Sequence, residues 1–441
     1  MPSEPNAAGA SAREGAFLHE VGTRLFPLNR SLTGDGVRQT FAILAGFIPD
    51  LVIHEVPSGT EVLDWTIPDE WNVRSARLTG PSGETVADFS ESNVHLVNYS
   101  EPVDTTVSLE ELGPRLHSLP DLPHAIPYVT SYYNRTWGWC LTDAARATLP
   151  SGDYHSYIDA TLEPGSLTYG EVVLPGECAE EVLITTYVCH PSLANNELSG
   201  PLVTLGLIQW LSSRTRRYTY RFVFAPETIG AITYIAGNLD HLRAHVIAAI
   251  NLTCIGDDGD FSYLASRRGN TPLDRIADRV VDTFPRAVKY SYIDRGSDER
   301  QYGMPGVDLP MISLMRTKYG EYPEYHTHLD DLTVVTPTGL QGGLDLVRDC
   351  LTELEATEFL TSTVLGEPQL GKRGLYHTVH ARTVEDAVLL RTHILAYADG
   401  EHSVRDIAAM TNRDESEIAL LAQELIEHGL LTTGPLQTRP M

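Results

Sequence analysis

From Gly170 to about Leu351 the chain alternates short apolar runs with longer stretches in which apolar positions recur every three or four residues. Continuous apolar runs suit strands buried on both faces, and the longer period suits the helices that cover them, so this zone predicts an α/β unit with parallel strands. The strands fall at Val182 to Val188, Tyr218 to Ala225, Val246 to Leu252 and Leu309 to Leu314, with helices at Ser199 to Ser213, Ile229 to Leu239 and Pro272 to Thr283. Two amphipathic stretches, Ala12 to Leu25 and Thr33 to Phe47, have no sheet of their own and are assigned to the same unit. Between Val56 and Gly165 the texture changes. Pro57-Ser58-Gly59, Gly80-Pro81-Ser82-Gly83 and the stretch from Pro120 to Pro127 punctuate short β-rich runs, which predicts a mostly β insertion. Near the C-terminus, Asp386 to Ala398, Ser403 to Met410 with Ser403 as N-cap, and Glu415 to His428 closed by Gly429 read as three helices. The expected organisation is a discontinuous α/β unit (1–55 and 166–370), an inserted β unit (56–165) and a helical tail (376–441).

Composition narrows the function classes. A chain of 441 residues with 42% apolar and 21% charged residues is long enough for two or three domains and apolar enough to fold. Fifty-nine acidic against 32 basic side chains give a formal charge of -27, which repels phosphate backbones and anionic lipid. Neither nucleic acid nor a membrane is therefore an expected partner. The first twenty residues carry no basic start followed by an apolar run, and no stretch is long and apolar enough to span a bilayer. Five scattered cysteines predict no disulfide framework and fit a reducing, cytoplasmic setting. The sequons at Asn29 and Asn134 are read as coincidental.

In open α/β sheets the working residues gather where strand-to-helix loops converge at the carboxyl ends of parallel strands. The first predicted strand runs into Cys189-His190-Pro191-Ser192 and then Asn195-Asn196-Glu197. The second ends at Glu227, the third exits through Thr253 to Asp257-Asp258, and after the fourth comes Tyr325-His326-Thr327-His328. Histidine and carboxylate on one rim suit zinc, and three protein ligands leave room for water. Each piece also has a plainer reading. A histidine after a strand can be a hydrogen-bonded loop residue, and Glu227 can simply favour a helix N-terminus. Asp257, Asp258 and Asp260 miss the spacing of a calcium loop and fit an exposed turn.

Taken with Arg30-Ser31-Leu32-Thr33-Gly34-Asp35-Gly36 and Gly296-Ser297-Asp298-Glu299-Arg300, these strings resemble the zinc-dependent aminopeptidases related to bacterial leucyl aminopeptidase and glutamate carboxypeptidase. The likeness is to a branch with an inserted β domain and a winged-helix tail. It implies a zinc-exopeptidase-like mixed sheet flanked by helices. It also implies that His190 and His326 match the family's two metal-binding histidines, and that Glu227 matches its general base. The departures are substantial. Asn196 stands where the family has an aspartate bridging two zincs, Thr228 where it has a second glutamate, and Thr253 where it has a later aspartate. Amide and hydroxyl groups are poor zinc ligands, so one zinc per chain is expected, held by His190, Glu197 and His326, with Asn196 as the substitute should Glu197 point elsewhere.

The implied activity is hydrolysis of a peptide or amide beside a free amino group. Zinc-bound water would be deprotonated by Glu227, which then returns the proton to the leaving amine. Asp257, Asp258, Asp298, Glu299 and Asp330 are candidates for the substrate's α-amine, and Tyr325 or Arg295 for the oxyanion. The alternative is a degenerate peptidase fold that binds a small amino compound or a partner without hydrolysis. The tail raises DNA binding as a third class. From Tyr376 onward five basic residues face ten acidic ones, and Glu415 to His428 carries four glutamates and no Lys or Arg. Phosphate contacts dominate DNA affinity, so a packing or homo-oligomer contact is the expected role.

Overall fold

Seven consecutive buried residues, Val246–Leu252, form a strand in the middle of the sheet, because a run apolar on both faces is stable only with neighbours on both faces. The computed structural model describes residues 7–376 and 386–437. Its main sheet has eight strands: β1 (Val52–Pro57), β2 (Ser166–Leu174), β3 (Glu181–Tyr187), β4 (Thr219–Ala225), β5 (Val246–Leu252), β6 (Phe261–Leu264), β7 (Ala287–Tyr290) and β8 (Met311–Met315). They lie in the order β1-β2-β4-β3-β5-β8-β6-β7. The central four, β4, β3, β5 and β8, are parallel. β2 adds to β4, and β6 to β8, in the antiparallel sense, so the sheet is mixed.

The helices α1 (Ala7–Leu25), α2 (Asp35–Ala45), α3 (Ser199–Ser212), α4 (Ile229–His245), α5 (Pro272–Val281) and α6 (Pro337–Ala356) flank this sheet. Leu18, Val21 and Leu25 of α1, and Val37, Phe41 and Leu44 of α2, join the core formed by β3–β5 and α3, as their assignment to this unit requires. Four elements depart from expectation. α4 runs six residues beyond Leu239, β6 and β7 are four-residue strands with too short a pattern to read, and α6 was not anticipated. At Gly200 an added Cβ would lie 2.2 Å from Thr186 Oγ1 and 2.4 Å from the Leu252 carbonyl oxygen. Glycine there lets the start of α3 press against the ends of β3 and β5, drawing the preceding loop over the strand ends.

Between β1 and β2 the chain builds a separate antiparallel sheet from Glu70–Thr79, Thr85–Asp88, Val103–Ser108 and Asp153–Glu163. Its core is continuous with Tyr187, Cys189, Ile229 and Ile232, which lie at the carboxyl ends of the parallel strands of the main sheet. The C-terminal part has a three-stranded sheet (Phe359–Ser362, Asp399–Ser403, Leu431–Gly434) and helices Asp386–Tyr397, Val404–Thr411 and Glu415–Glu427 around Ile394, Ile407, Ile418 and Leu425. Ser403 is the expected N-cap, in a reciprocal box with Asp406. Among the described residues no helix is long and apolar enough to cross a membrane.

Candidate active site

His190 follows the end of β3, Glu227 the end of β4, and His326 sits in the loop after β8. All three line one cavity of about 340 Å³. The His190 and His326 rings are 5.6 Å apart, and Tyr128 meets both edge-on at 5.2 and 5.4 Å. Tyr128 comes from the inserted segment. Its backbone N–H donates to the His326 carbonyl at 2.8 Å, and Ile126 N–H donates to His328 Nδ1 at 2.9 Å, so the insertion forms one wall of the site.

Four non-glycine residues here have left-handed backbone: Tyr132 (φ 40), Thr228 (φ 66), Cys254 (φ 46) and His326 (φ 54). Such conformations are costly and persist where the surroundings over-determine them. Thr228 shows how. Its N–H donates to Asp298 Oδ1 at 2.7 Å, and its hydroxyl accepts from Arg300 Nη2 at 2.6 Å, which aims the adjacent Glu227 into the cavity.

Glu197, expected as a ligand, is engaged by two neighbours. Its Oε2 accepts a 2.9 Å hydrogen bond from His190 Nδ1, and its Oε1 lies 3.2 Å from Nε of the fully buried Arg30. Arg30 also donates to the carbonyls of Leu25 and His190. A carboxylate on Nδ1 fixes the tautomer and leaves Nε2 for the cavity, as in carboxylate–histidine–metal relays. His190 Nε2 is 3.7 Å from Glu227 Oε2. Burial alone would pull the His190 imidazole down, but the Glu197 hydrogen bond and charge, with Glu227, carry it above its ordinary value. Burial pushes Glu227 up, against the opposing pull of His190 and Arg300.

Among the described residues, the ligand-type atoms lying within 4.8 Å of one another belong to Cys189, His190 and Glu197, a set that does not include His326. Burial holds the Cys189 thiol well above its usual range, hence protonated, and the Arg30 guanidinium lies against this corner. The donor set facing the cavity suits a single metal better. Burial, reinforced by His190, depresses His326 to about 3, keeping it the neutral imidazole that ligates, and its buried Nε2 has no hydrogen-bond partner. With His190 Nε2 it makes a pair of imidazole donors that fits zinc, with the Glu227 carboxylate beside them at 3.7 Å from His190 Nε2. Asn196 Nδ2 donates to the Tyr187 hydroxyl at 2.6 Å, and that hydroxyl is 2.5 Å from Thr253 Oγ1, so neutral groups bonded to one another stand at the substituted positions. Asn196 Oδ1 is left without a partner.

The remaining expected residues are dispersed. Asp298 is buried beneath Glu227, and burial together with that neighbour's charge pushes it well up. Asp257 fastens loops, accepting from Asn195 Nδ2 at 2.9 Å and Thr317 Oγ1 at 2.6 Å. Asp258 accepts from Thr336 Oγ1, the cap of α6, and Arg295 lies exposed over the Tyr292 ring. Tyr325 stacks on His326 at 4.0 Å, setting that ring's plane. Sequence reasoning did not single out Arg30, Tyr128, Arg300 or Trp65. Arg30 and Arg300 lay inside motif strings already noted, which was the available signal.

A mixed sheet with its histidines and glutamate at the parallel strand ends defines the aminopeptidase-like class of α/β fold. A zinc aminopeptidase from Bacillus subtilis matches with a TM-score of 0.55 at 14% identity, over 80% of this chain and 96% of that one. An M28 peptidase precursor from Shewanella amazonensis SB2B matches with 0.56 at 11%, over 82% and 97%. At such identities the likeness is one of fold. Residues 358–433 match the winged helix-turn-helix family, so the tail is a winged-helix domain. Residues 19–357 match the family described as a domain of unknown function, DUF4910, and the chain belongs to that family. A Clostridium acetobutylicum protein is 39% identical over 426 residues, 96% of this chain and 97% of that protein, and is provisionally named a polysaccharide biosynthesis protein with aminopeptidase-like domain. A crystal structure from the same species, provisionally called a peptidase, matches with a TM-score of 0.80 at 39% identity, over 96% of this chain and 97% of that one.

Proposed function

We propose that the protein is an amide hydrolase that uses one divalent metal, zinc by the chemistry of its donors, at His190 and His326. The observation that carries this reading is Glu227, a carboxyl raised by burial and 3.7 Å from His190 Nε2, on the wall of a cavity that also holds the unpartnered His326. When bound, the metal supplies polarisation of the scissile carbonyl and a water acidified to about pKa 7. Glu227 accepts the proton of the attacking water at its carboxylate and returns it to the leaving nitrogen. Glu197, through Nδ1, keeps His190 in the tautomer that presents Nε2, and Arg30 balances the Glu197 charge. Tyr128 and the other aromatic side chains of the insertion keep bulk water from the reacting carbonyl.

The competing reading is a peptidase fold retained for binding alone, and the bonded Asn196–Tyr187–Thr253 group favours it, since those positions offer no carboxylate. The two separate in an assay of peptides and N-acylated compounds with zinc-loaded wild type and Glu227→Gln. N-acylated sugars belong in the panel because the Clostridium relative's name connects that protein with polysaccharide biosynthesis. Turnover by wild type that collapses in the variant supports hydrolysis. Ligand binding without turnover by either supports the binding reading.

A further inference from the structure

Of the charged side chains lining the cavity, Glu227 is the one carboxylate and Arg300 the one guanidinium. A free α-ammonium therefore has no dedicated anion to meet, since Glu227 is occupied with proton transfer and Asp257 and Asp258 are engaged elsewhere. Arg300 is the group that lacks a counterpart. Its Nη2 donates to Thr228 Oγ1 at 2.6 Å, its Nε has no hydrogen-bond partner, and among the described residues it makes no close ion pair with a carboxylate. Glu227 and Asp298 feel its charge, but neither carboxylate lies within ion-pair distance of it. A half-buried guanidinium with no counterion is unfavourable until an anion joins it, and its planar fork matches a carboxylate. The insertion contributes Trp65 and Tyr133 to the same cavity, 38% and 49% exposed, with ring centroids 5.9 Å apart at 59°. Two tilted, solvent-facing rings offer an apolar cleft for a ring or large side chain.

We infer that the cavity selects small amides that carry a carboxylate, with Arg300 binding the carboxylate and Trp65 and Tyr133 covering the substrate's ring or side chain. This rests on the amide-hydrolase reading of the same site and assigns its substrate class. Arg300 is a specificity residue, placed to fix the acid end while the amide lies between His190, His326 and Glu227.

The test uses matched ligands that differ only at the acid: N-acetyl-phenylalanine against its carboxamide, and alanyl-phenylalanine against its carboxamide. The first pair carries the carboxylate of an acylated amino acid, the second that of a peptide C-terminus. Binding is measured by calorimetry on the zinc-loaded Glu227→Gln protein, where turnover does not intervene, and again with Arg300→Gln or Arg300→Lys added. At least one carboxylate form should bind about 10-fold more tightly than its carboxamide, as a charge-assisted pair gives. Arg300→Gln should reduce that ratio to about 1, and Arg300→Lys should keep part of it. Equal binding of both forms, binding by none of the four, or a preference that survives Arg300→Gln overturns the inference. Turnover of the same pairs by wild type is read separately. Carboxylate-dependent binding without any hydrolysis sinks the hydrolase reading and leaves this one standing, whereas hydrolysis indifferent to the carboxylate does the reverse.

Discussion

A side chain that takes and returns a proton in each turnover works best when its pKa lies near the working pH, and the burial of Glu227 moves it in that direction. Its removal as Glu227→Gln keeps size and polarity, so kcat should fall about 100-fold or more while zinc content stays constant, as paired kinetics and elemental analysis would show. The acid limb of kcat/KM should stand above the ordinary carboxylate range, since hydrolysis needs the deprotonated form and burial raises the pH at which it appears. An intact kcat in the variant would return Glu227 to the plainer role of favouring the α4 N-terminus. Arg30 and Glu197 are a second residue-scale case. Both side chains are 0% exposed, so Arg30→Met leaves a buried carboxylate with His190 as its remaining partner. Unfolding free energy should drop by about 3 kcal/mol or more in urea titrations. Glu197→Gln keeps an acceptor for His190 Nδ1, and should weaken zinc affinity about 10- to 100-fold rather than abolish it. The Arg30–Glu197 pair was not legible in the sequence because its two residues lie far apart along the chain.

At the scale of elements, the strand-end rule worked because it is a property of topology. β3, β4 and β8 are parallel neighbours or near neighbours, so the loops after them meet wherever their residues happen to lie in the chain. The aromatic wall was not legible, since nothing local in Trp65 or Tyr128 signals that the insertion folds back over the main sheet. α6 was missed because Gly339, Gly342 and Gly343 interrupt a helical reading, although Thr336 and Pro337 carried the start signal. Those glycines are required by packing: an added Cβ at Gly343 would lie 2.2 Å from the Ile255 carbonyl oxygen. The junction between insertion and sheet rests on Arg38 of α2, which holds Glu70 through paired bonds of 2.7 and 2.6 Å, while Glu70 Oε2 also accepts from Ser166 N–H at 3.0 Å. The Arg38 hydrogen bonds lower Glu70 from 4.5 to about 2. A carboxyl lowered on folding stabilises above its unfolded pKa, so this contribution should be lost as pH falls from 4.5 toward 2. Urea midpoints followed through that window should show an acid-sensitive step in wild type that is absent from Glu70→Gln.

For the molecule as a whole, the tail is tied to the α/β unit. Arg279 of α5 reaches Asp406 at 2.9 Å and Glu353 of α6 at 2.6 Å, and Leu436 N–H donates to the Tyr218 hydroxyl at 2.8 Å. The helix Glu415–Glu427 has glutamates and no basic residue, so a gel shift at low salt, where attraction to DNA is greatest, should show no sequence-selective complex. Selective binding there would make the winged helix a reader of DNA. The proposed metal site has His190 and His326 as the donors for one ion, with the neutral, mutually bonded Asn196–Tyr187–Thr253 group where a second would need a carboxylate. Its most direct test is zinc per chain by elemental analysis of protein saturated with zinc and then desalted, for wild type beside His190→Ala and His326→Ala. Close to one zinc is expected in wild type and almost none in either variant; two tightly held zincs, or one that survives both substitutions, would rule out a single site at these histidines.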